Sequence, residues 1–329
     1  MLNSGAKLNP KVLDNDVEMR GIREGYGEGL VLAGEKDKNI VVLCADLTES
    51  TRSQAFAEKF PERFVEIGVA EQNLAAVAAG LGVSGKTAFI SSYATFSPGR
   101  NWEQIRTTIC YNDSNVKIAG HHAGLMTGPD GATHQATEDV AIMRALPKMT
   151  VFVPCDAIEA KKATMAAAKI WGPVYIRFAR EKSPVVTSES SPFTPGKAEV
   201  LWESKKPQVL IVACGVLVRN ALLAAKELED EGIGSAVMNI HTIKPIDDKK
   251  IAEFSKKCGA VVSVEEHQVH GGLGSAVAEV LAKSAPAPME FIGMQNTFGE
   301  SGNPWDLVKK YGMDVKDIKS AAKKAVRRK

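Results

Sequence analysis

Side chains that could take part in catalysis are concentrated between residues 64 and 138. Glu71 follows the apolar run Phe64 to Val69 and precedes a series of small residues typical of a buried helix. The helix dipole and the free N–H groups of a first turn favour a carboxylate there, so capping alone could explain Glu71. Tyr93 and Phe96 follow the next apolar run and could form flat apolar walls for a ring. The combination favours a ligand site over a simple cap.

A second group of polar residues follows in His121-His122 and in Gly128-Pro-Asp-Gly-Ala-Thr-His-Gln135. Histidine can donate, accept and transfer protons near neutral pH. A single histidine in a loop carries little information. His122, Asp130 and His134 within one glycine-rich segment indicate a loop that handles the polar groups of a substrate.

Alternating apolar runs and helical patterns determine where these residues lie. Strands are predicted at 39–47, 64–69, 86–93, 115–120, 149–154 and 173–179. Helices are predicted at 18–36, 71–83, 99–111, 137–146 and 156–170. This alternation predicts a mainly parallel α/β sheet. Ligands bind beyond the carboxyl ends of such strands, where Asp46, Glu71 and the later candidates fall.

A Ser/Pro-rich connector begins at residue 181, and a second α/β series follows it. Its strands are predicted at 208–214, 235–240, 260–265 and 289–295. We therefore predict two consecutive α/β domains, 1–195 and a smaller 196–329. His270-Gly-Gly-Leu-Gly274 lacks the full dinucleotide-binding fingerprint and is interpreted as a tight strand-to-helix turn.

Several motifs in order resemble the pyrimidine-binding half of the transketolase family. They are Gly-Val-Ala-Glu71-Gln, Tyr93-x-x-Phe96, and His122 followed by Asp130-Gly-Ala-Thr-His134. The resemblance covers nearly the whole chain, but only the C-terminal part of a full-length transketolase. It implies thiamine diphosphate as cofactor and transfer of a two-carbon ketol unit between sugar phosphates.

The resemblance also implies roles for individual residues. Glu71 would bind the ring nitrogen of the cofactor's aminopyrimidine, Tyr93 and Phe96 would pack on that ring, and Asp46 would organise the cofactor side. His122 and His134 would be catalytic residues that also bind substrate hydroxyls. The remaining substrate contacts would come from Arg20, Ser50, Asp130 and Arg180. Arg23 is an alternative to Arg20, and His121 has no assigned role.

Full-length relatives hold the diphosphate through Mg²⁺ in a domain that carries Gly-Asp-Gly, which this chain lacks. We therefore predict no metal ligand here, a partner subunit that brings the diphosphate and Mg²⁺ site, and self-association to an α2β2-type assembly.

Three alternatives remain open from the sequence. The beta subunit of a 2-oxoacid dehydrogenase has similar length and domain order. The 1-deoxyxylulose-5-phosphate synthase family shares the Tyr-x-x-Phe and Asp-Gly-x-Thr-His patterns, although its members are single long chains. A non-catalytic relative that keeps only the fold is the third.

Composition limits the other possibilities. Forty-one Lys and Arg residues against 39 Asp and Glu residues leave no broad field that would favour nucleic acid or an anionic membrane. The basic tail from Lys323 to Lys329 is interpreted as a solvated helix end. Five cysteines without Cys-x-x-Cys spacing, and no secretory signal pattern, predict reduced core thiols and a cytoplasmic location.

Overall fold

Fourteen strands form three sheets in the computed structural model, which describes residues 1–329. The first sheet has seven strands in the order Thr242–Lys244, Thr150–Phe152, Val174–Arg177, Val116–His121, Thr87–Tyr93, Ile40–Cys44 and Phe64–Glu66, and all its pairs are parallel except the first. The second has five strands in the order Met289–Met294, Val261–Gln268, Val209–Ala213, Ser235–Asn239 and Glu199–Glu203, and only the last of these is antiparallel. Two consecutive α/β domains with mainly parallel sheets are thereby confirmed.

The strands have these bounds: β1 Met19–Gly21, β2 Ile40–Cys44, β3 Phe64–Glu66, β4 Thr87–Tyr93, β5 Val116–His121, β6 Thr150–Phe152, β7 Val174–Arg177, β8 Lys182–Pro184, β9 Glu199–Glu203, β10 Val209–Ala213, β11 Ser235–Asn239, β12 Thr242–Lys244, β13 Val261–Gln268 and β14 Met289–Met294. The helices are α1 Ile22–Lys36, α2 Gln54–Lys59, α3 Glu71–Val83, α4 Trp102–Gln104 with a π-helical continuation over Ile105–Tyr111, α5 Asp139–Arg144, α6 Ala157–Ala167, α7 Val218–Asp230, α8 Asp248–Cys258, α9 Leu273–Ser284, α10 Pro304–Lys310 and α11 Val315–Arg327. None of them combines the length and hydrophobicity needed to cross a bilayer.

The predicted helix at 18–36 is wrong at its first residues. Met19–Gly21 pairs antiparallel with Lys182–Pro184, inside the predicted connector, and α1 begins only at Ile22. Sequence periodicity is a local signal and cannot report a strand partner more than 150 residues away. The strand pair fixes which residues lie in the first turn of α1.

Helices α1 and α6 cross at very short distance on one face of the first sheet. A Cβ atom at Gly25 would overlap the carbonyl oxygen of Ala157, and one at Gly29 would lie 2.8 Å from that of Lys161. Two glycines four residues apart form one smooth stripe on a helix, which permits this approach. The close crossing holds the start of α1 against the sheet edge where ligands bind.

A buried charge cluster joins the two domains. Arg177 Nε donates to Asp139 Oδ2 at 3.0 Å, and Arg177 Nη2 donates to the main-chain oxygen of Glu266 in the second domain at 2.8 Å. Tyr175 donates its hydroxyl to the same Asp139 oxygen at 2.6 Å. Burial raises the pKa of Glu266 to about 7, although Arg177 favours its charged form. We call these four residues the junction cluster.

The glycine run after β13 is the predicted strand-to-helix turn, and the first N–H groups of α9 face a buried protein carboxylate. The N–H groups of Leu273 and Gly274 donate to Glu265 at 2.7 and 2.8 Å. A Cβ atom at Gly272 would overlap Glu265 Oε2. The chain's own anion therefore occupies the position that a phosphate takes in nucleotide-binding turns.

The predictions for the cysteines and the basic tail agree with the structure. All five cysteines are free and buried. Lys324 and Arg328 pair with Glu290 at the end of α11. The tail is therefore the solvated helix end that its composition predicts.

Candidate active site

Glu71 is the first residue of α3 and lies almost fully buried at the carboxyl edge of the first sheet, with 2% of its surface exposed. Asn101 Nδ2 donates to the main-chain oxygen of Glu71 at 2.9 Å and fixes the first turn. Arg100 Nη1 lies 2.7 Å from Glu71 Oε2, while half of the Arg100 side chain is exposed. The carboxylate therefore has one side-chain partner, which is half-exposed.

Four ring side chains gather beside this carboxylate. Tyr93 stacks on His122 with ring centroids 3.8 Å apart, and it lies parallel to Phe96 at 6.1 Å. His134 meets the Phe96 ring edge-on at 5.4 Å. The guanidinium of Arg100 lies over the same Phe96 ring at 4.7 Å. The structure thus brings together residues from the end of β4, the segment after β4 and the loop after β5.

His122 is held in a neutral form. Burial, together with the nearby cations Arg23 and Arg180, lowers its pKa to about 3. Its backbone lies in the left-handed region, with φ 51°, and its Nδ1 atom is buried without a hydrogen-bond partner. A non-glycine residue in that region is strained, which directs attention to function. His122 therefore offers an unpaired neutral imidazole to a ligand.

A cationic cavity of about 260 Å³ opens next to His122 and Tyr93. Three arginines from separate segments line it, Arg23 of α1, Arg52 after β2 and Arg180 after β7, against one carboxylate, Glu49. Arg23 Nη1 donates to the main-chain oxygen of Ser50 at 2.8 Å. Burial, followed by the charges of Arg52 and Arg180, lowers the pKa of Arg23. Like charges converging in this way are stabilised by an anion.

Arg20 does not lie among these residues, and its prediction as a phosphate contact is corrected. It belongs to β1, where its guanidinium is paired with Glu28 and lies 3.9 Å from Glu24. The β1–β8 pairing leaves Arg20 beside Glu24 and Glu28, whereas Arg23, in the first turn of α1, lines the cavity. Arg23, the alternative to Arg20, therefore becomes the predicted phosphate contact.

Asp46 and Asp130 are exposed and have no side-chain partners in the chain, and neither lines the cavity. Asp46 follows β2 with φ 58°, and its N–H donates to Glu66 at 2.7 Å while its carboxylate is exposed. Asp130 ends the 3₁₀ segment Leu125–Asp130 and is exposed. Their roles stay predictions.

Two arginines of the site were not found from the sequence. Arg52 lies two residues after Ser50 and lines the cavity with φ 63°. Arg100 reaches Glu71 from the segment between β4 and α4. A lone arginine in a loop gives no local signal. Both segments follow strands of the parallel sheet, and this position is the one cue that could have drawn attention to them.

The residues around Glu71 fit one half of thiamine diphosphate. A buried carboxylate beside two parallel aromatic rings suits a flat ring that carries a nitrogen acceptor. No group of three or more His, Cys, Asp or Glu side chains is placed to hold a metal ion. The ring half fits this chain, and no equivalent set for Mg²⁺ and diphosphate lies beside it.

Family comparison agrees with this geometry. The pyrimidine-binding domain of transketolase matches residues 18–185, and the C-terminal domain of transketolase matches residues 196–318. The chain belongs to the transketolase family.

Three relatives within the transketolase family have nearly the same length as this chain. A protein of Methanocaldococcus jannaschii assigned as a transketolase C-terminal section is 43% identical over 91% of this chain and 94% of its own length. The 6-deoxy-6-sulfo-D-fructose transketolase subunit SqwH of Clostridium sp. is 40% identical over 95% of this chain and 97% of its own. A structure described as a split gene transketolase, an inactive β4 tetramer, superposes with a TM-score of 0.87 at 49% identity, and the match covers 93% and 98% of the two chains.

Proposed function

We propose that this chain is the C-terminal subunit of a two-chain transketolase that transfers a two-carbon ketol unit between sugar phosphates. The observation that carries the proposal is the cationic cavity of Arg23, Arg52 and Arg180 directly beside the Tyr93–His122 stack. One end of a phosphorylated sugar would bind the arginines, and its reacting end would then lie near the aromatic cluster. A 2-oxoacid has no group that needs three converging guanidinium ions.

The residues divide the work according to their surroundings. Glu71 would bind the cofactor's pyrimidine nitrogen, with Tyr93 and Phe96 against the ring. When bound, the cofactor supplies a thiazolium carbon that accepts and releases the two-carbon unit. His122, neutral because it is buried, would donate or accept a hydrogen bond at a sugar hydroxyl. His134, with Thr133 Oγ1 2.9 Å from its Nδ1, would move a proton at the same end.

The rest of the active site would come from a partner. We propose that an N-terminal transketolase subunit brings the diphosphate and Mg²⁺ site and that two such pairs form an α2β2-type assembly. The relative that forms a β4 tetramer is described as inactive, which agrees with a need for a second kind of chain. Five free, buried thiols favour a reducing, cytoplasmic location.

The identity of the anionic group is a separate question. One relative is named for a sulfosugar rather than a sugar phosphate. Guanidinium groups bind a sulfonate as well as a phosphate, because both present several oxygens around one centre. We propose phosphate, since three arginines converge and phosphate carries the larger charge. Matched phosphate and sulfonate sugars in one assay separate the two.

The test is ketol transfer from xylulose 5-phosphate to ribose 5-phosphate with thiamine diphosphate and Mg²⁺. It is run on this chain alone, on the candidate N-terminal subunit alone, and on the mixture. We expect turnover only in the mixture. Turnover by this chain alone would contradict the need for a partner.

The alternative enzymes are tested in the same mixture. Oxidation of a 2-oxoacid with a lipoyl carrier, without ketol transfer, would indicate a 2-oxoacid dehydrogenase subunit. Condensation of pyruvate with glyceraldehyde 3-phosphate would indicate a 1-deoxyxylulose-5-phosphate synthase. No turnover with any of these substrates, although the partner is bound, would favour a non-catalytic relative.

A further inference from the structure

The second domain contacts the loop that carries Asp130 and His134. We call residues 125–135 the substrate loop and residues 296–304, which lead from β14 to α10, the brace. The two segments are far apart in sequence. Gln135 Nε2 donates to the main-chain oxygen of Glu300 at 2.9 Å, and it also donates across the loop to that of Gly128 at 3.2 Å. One buried amide thus ties the loop to itself and to the brace.

The packing between loop and brace leaves no room for additional atoms. A Cβ atom at Gly131 would lie 2.5 Å from Ser301 Oγ, and one at Gly128 would lie 2.8 Å from Pro304. From the other side, a Cβ atom at Gly299 would overlap Gln135 Oε1 and lie 2.7 Å from Leu125 Cδ2. Glycines occur on both sides of the contact, so the two backbones approach closely along its length.

Both segments are also anchored to β13 of the second domain. Glu266 Oε1 accepts the N–H of Met126 at 2.6 Å, at the start of the substrate loop. Gln268 donates its side-chain amide to the main-chain oxygen of Thr297 at 2.8 Å and accepts the N–H of Asn296 at 3.1 Å. The brace is therefore fixed to the same strand that fixes the loop.

We propose that the second domain is a positioning part of the active site, because the brace sets the place of Asp130 and His134. The proposal deepens the function proposed above and rests on it for the nature of the ligand. The contact itself is a property of the chain. Displacement of a reacting group by about 1 Å can cost on the order of a hundredfold in rate, so a brace outside the site can control catalysis.

The decisive variant is Gly299→Ala, measured by amide hydrogen exchange on the assembled complex. We expect exchange of amides in residues 125–135 to rise about tenfold, while exchange in β4 and β5 stays the same. Glu300→Ala is the matched control. Its main-chain oxygen still accepts from Gln135, and only the exposed pair with Lys310 is lost. Unchanged exchange of the loop in Gly299→Ala would overturn the proposal.

A comparison of single and double variants distinguishes loss of the contact between brace and loop from general misfolding. Gln135→Ala removes the nearer of the two side chains that the new methyl group would meet, and Leu125 remains. The increase in amide exchange of residues 125–135 in the double variant, expressed as a free energy, should therefore be smaller than the sum of the increases in the two single variants. The reason is that the effects of substitutions at residues in contact are not additive. Strict additivity would overturn a direct contact between brace and loop.

Kinetics connect the brace to substrate binding. In Gly299→Ala we expect KM for the sugar phosphate to rise about tenfold and the affinity for thiamine diphosphate to stay unchanged. A faster-exchanging loop with an unchanged KM would overturn the positioning role. If the wild-type complex transfers no ketol unit at all, the exchange and coupling results still decide whether the brace holds the loop, so the two proposals fail separately.

Discussion

The cationic cavity and the junction cluster both contain arginine in poorly solvated surroundings, but they differ in how their charges are balanced. In the junction cluster, Arg177 has two carboxylates and two carbonyl oxygens around it. In the cavity, three arginines converge beside a single lining carboxylate, Glu49. Arg23 donates only to a main-chain oxygen, while Arg180 pairs with Glu181 at 3.3 Å. A balanced buried charge joins parts of the fold, whereas a group in which cations outnumber anions leaves a place for an anionic ligand.

Glu71→Gln tests whether the buried carboxylate of the site is needed for turnover. An amide cannot hold a proton for the cofactor's ring nitrogen as a carboxyl group does, so we expect turnover of the assembled complex to fall by about 10² to 10⁴. The unfolding transition and binding of the partner should not change. Full turnover in this variant would remove Glu71 from the mechanism.

Arg177→Met tests the junction cluster. Removing the cation leaves Asp139 and Glu266 buried without compensation, so we expect the free energy of unfolding to fall by about 3–5 kcal/mol. Denaturant titration followed by circular dichroism measures it. A change below about 1 kcal/mol would mean that the cluster does not hold the domains together.

The pH dependence of stability tests the neutral state of His122. The unfolded chain takes up a proton on this histidine below its ordinary pKa of 6.5, whereas the folded chain does so only near 3. Folding is therefore disfavoured as the pH falls from 6.5 towards 3, by up to about 1.4 kcal/mol per pH unit. His122→Asn lacks this term, so the wild type should lose stability faster than the variant. Equal slopes would show that His122 is protonated in the folded chain.

Arg23→Met is the counterpart of Arg177→Met in the cavity. Removing one of three converging cations should leave the free energy of unfolding within about 1 kcal/mol of the wild type. KM for a sugar phosphate should rise between about tenfold and a hundredfold, because a charge-assisted hydrogen bond of about 1.5–3 kcal/mol is lost. Arg20→Met is the matched control on β1 and should leave KM unchanged. The reverse pattern would restore Arg20 as the phosphate contact.

Arg100→Ala should produce the smallest change, and this change should be a gain in affinity for thiamine diphosphate rather than a loss. Arg100 pairs with Glu71 and lies over Phe96, the two groups that we propose for the cofactor ring. Removing this competitor should tighten thiamine diphosphate binding about fivefold by calorimetry, equivalent to ~1 kcal/mol. Weaker binding would mean that Arg100 supports Glu71 in the loaded enzyme.

The sequence predicts the site where local patterns and sheet topology coincide. Glu71 begins a helix, and Tyr93, Phe96, His122 and His134 follow successive strands. Parallel strands end at a common edge, so their assembly follows from the order of the elements. Glu71 and the four rings do lie together in the structure.

The residues that sequence reasoning misplaced or missed depend on contacts between distant segments. Arg20 and Arg23 lie three residues apart, and only the pairing of Met19–Gly21 with Lys182–Pro184 decides which one reaches the cavity. Arg52 and Arg100 belong to loops whose course is set by the folded sheet. The brace contacts a loop more than 150 residues earlier, which no local pattern can reveal.

The short strand β12 makes the domain boundary less complete than two separate sheets would imply. Thr242–Lys244 comes from the second half of the sequence, yet it pairs with β6 and closes one side of the first sheet. During synthesis, β6 therefore has an open backbone edge until residue 244 has left the ribosome. A fragment that stopped at residue 195 would keep that edge permanently, and exposed edges recruit strands from other molecules. A piece of the second domain thus covers the backbone edge of β6.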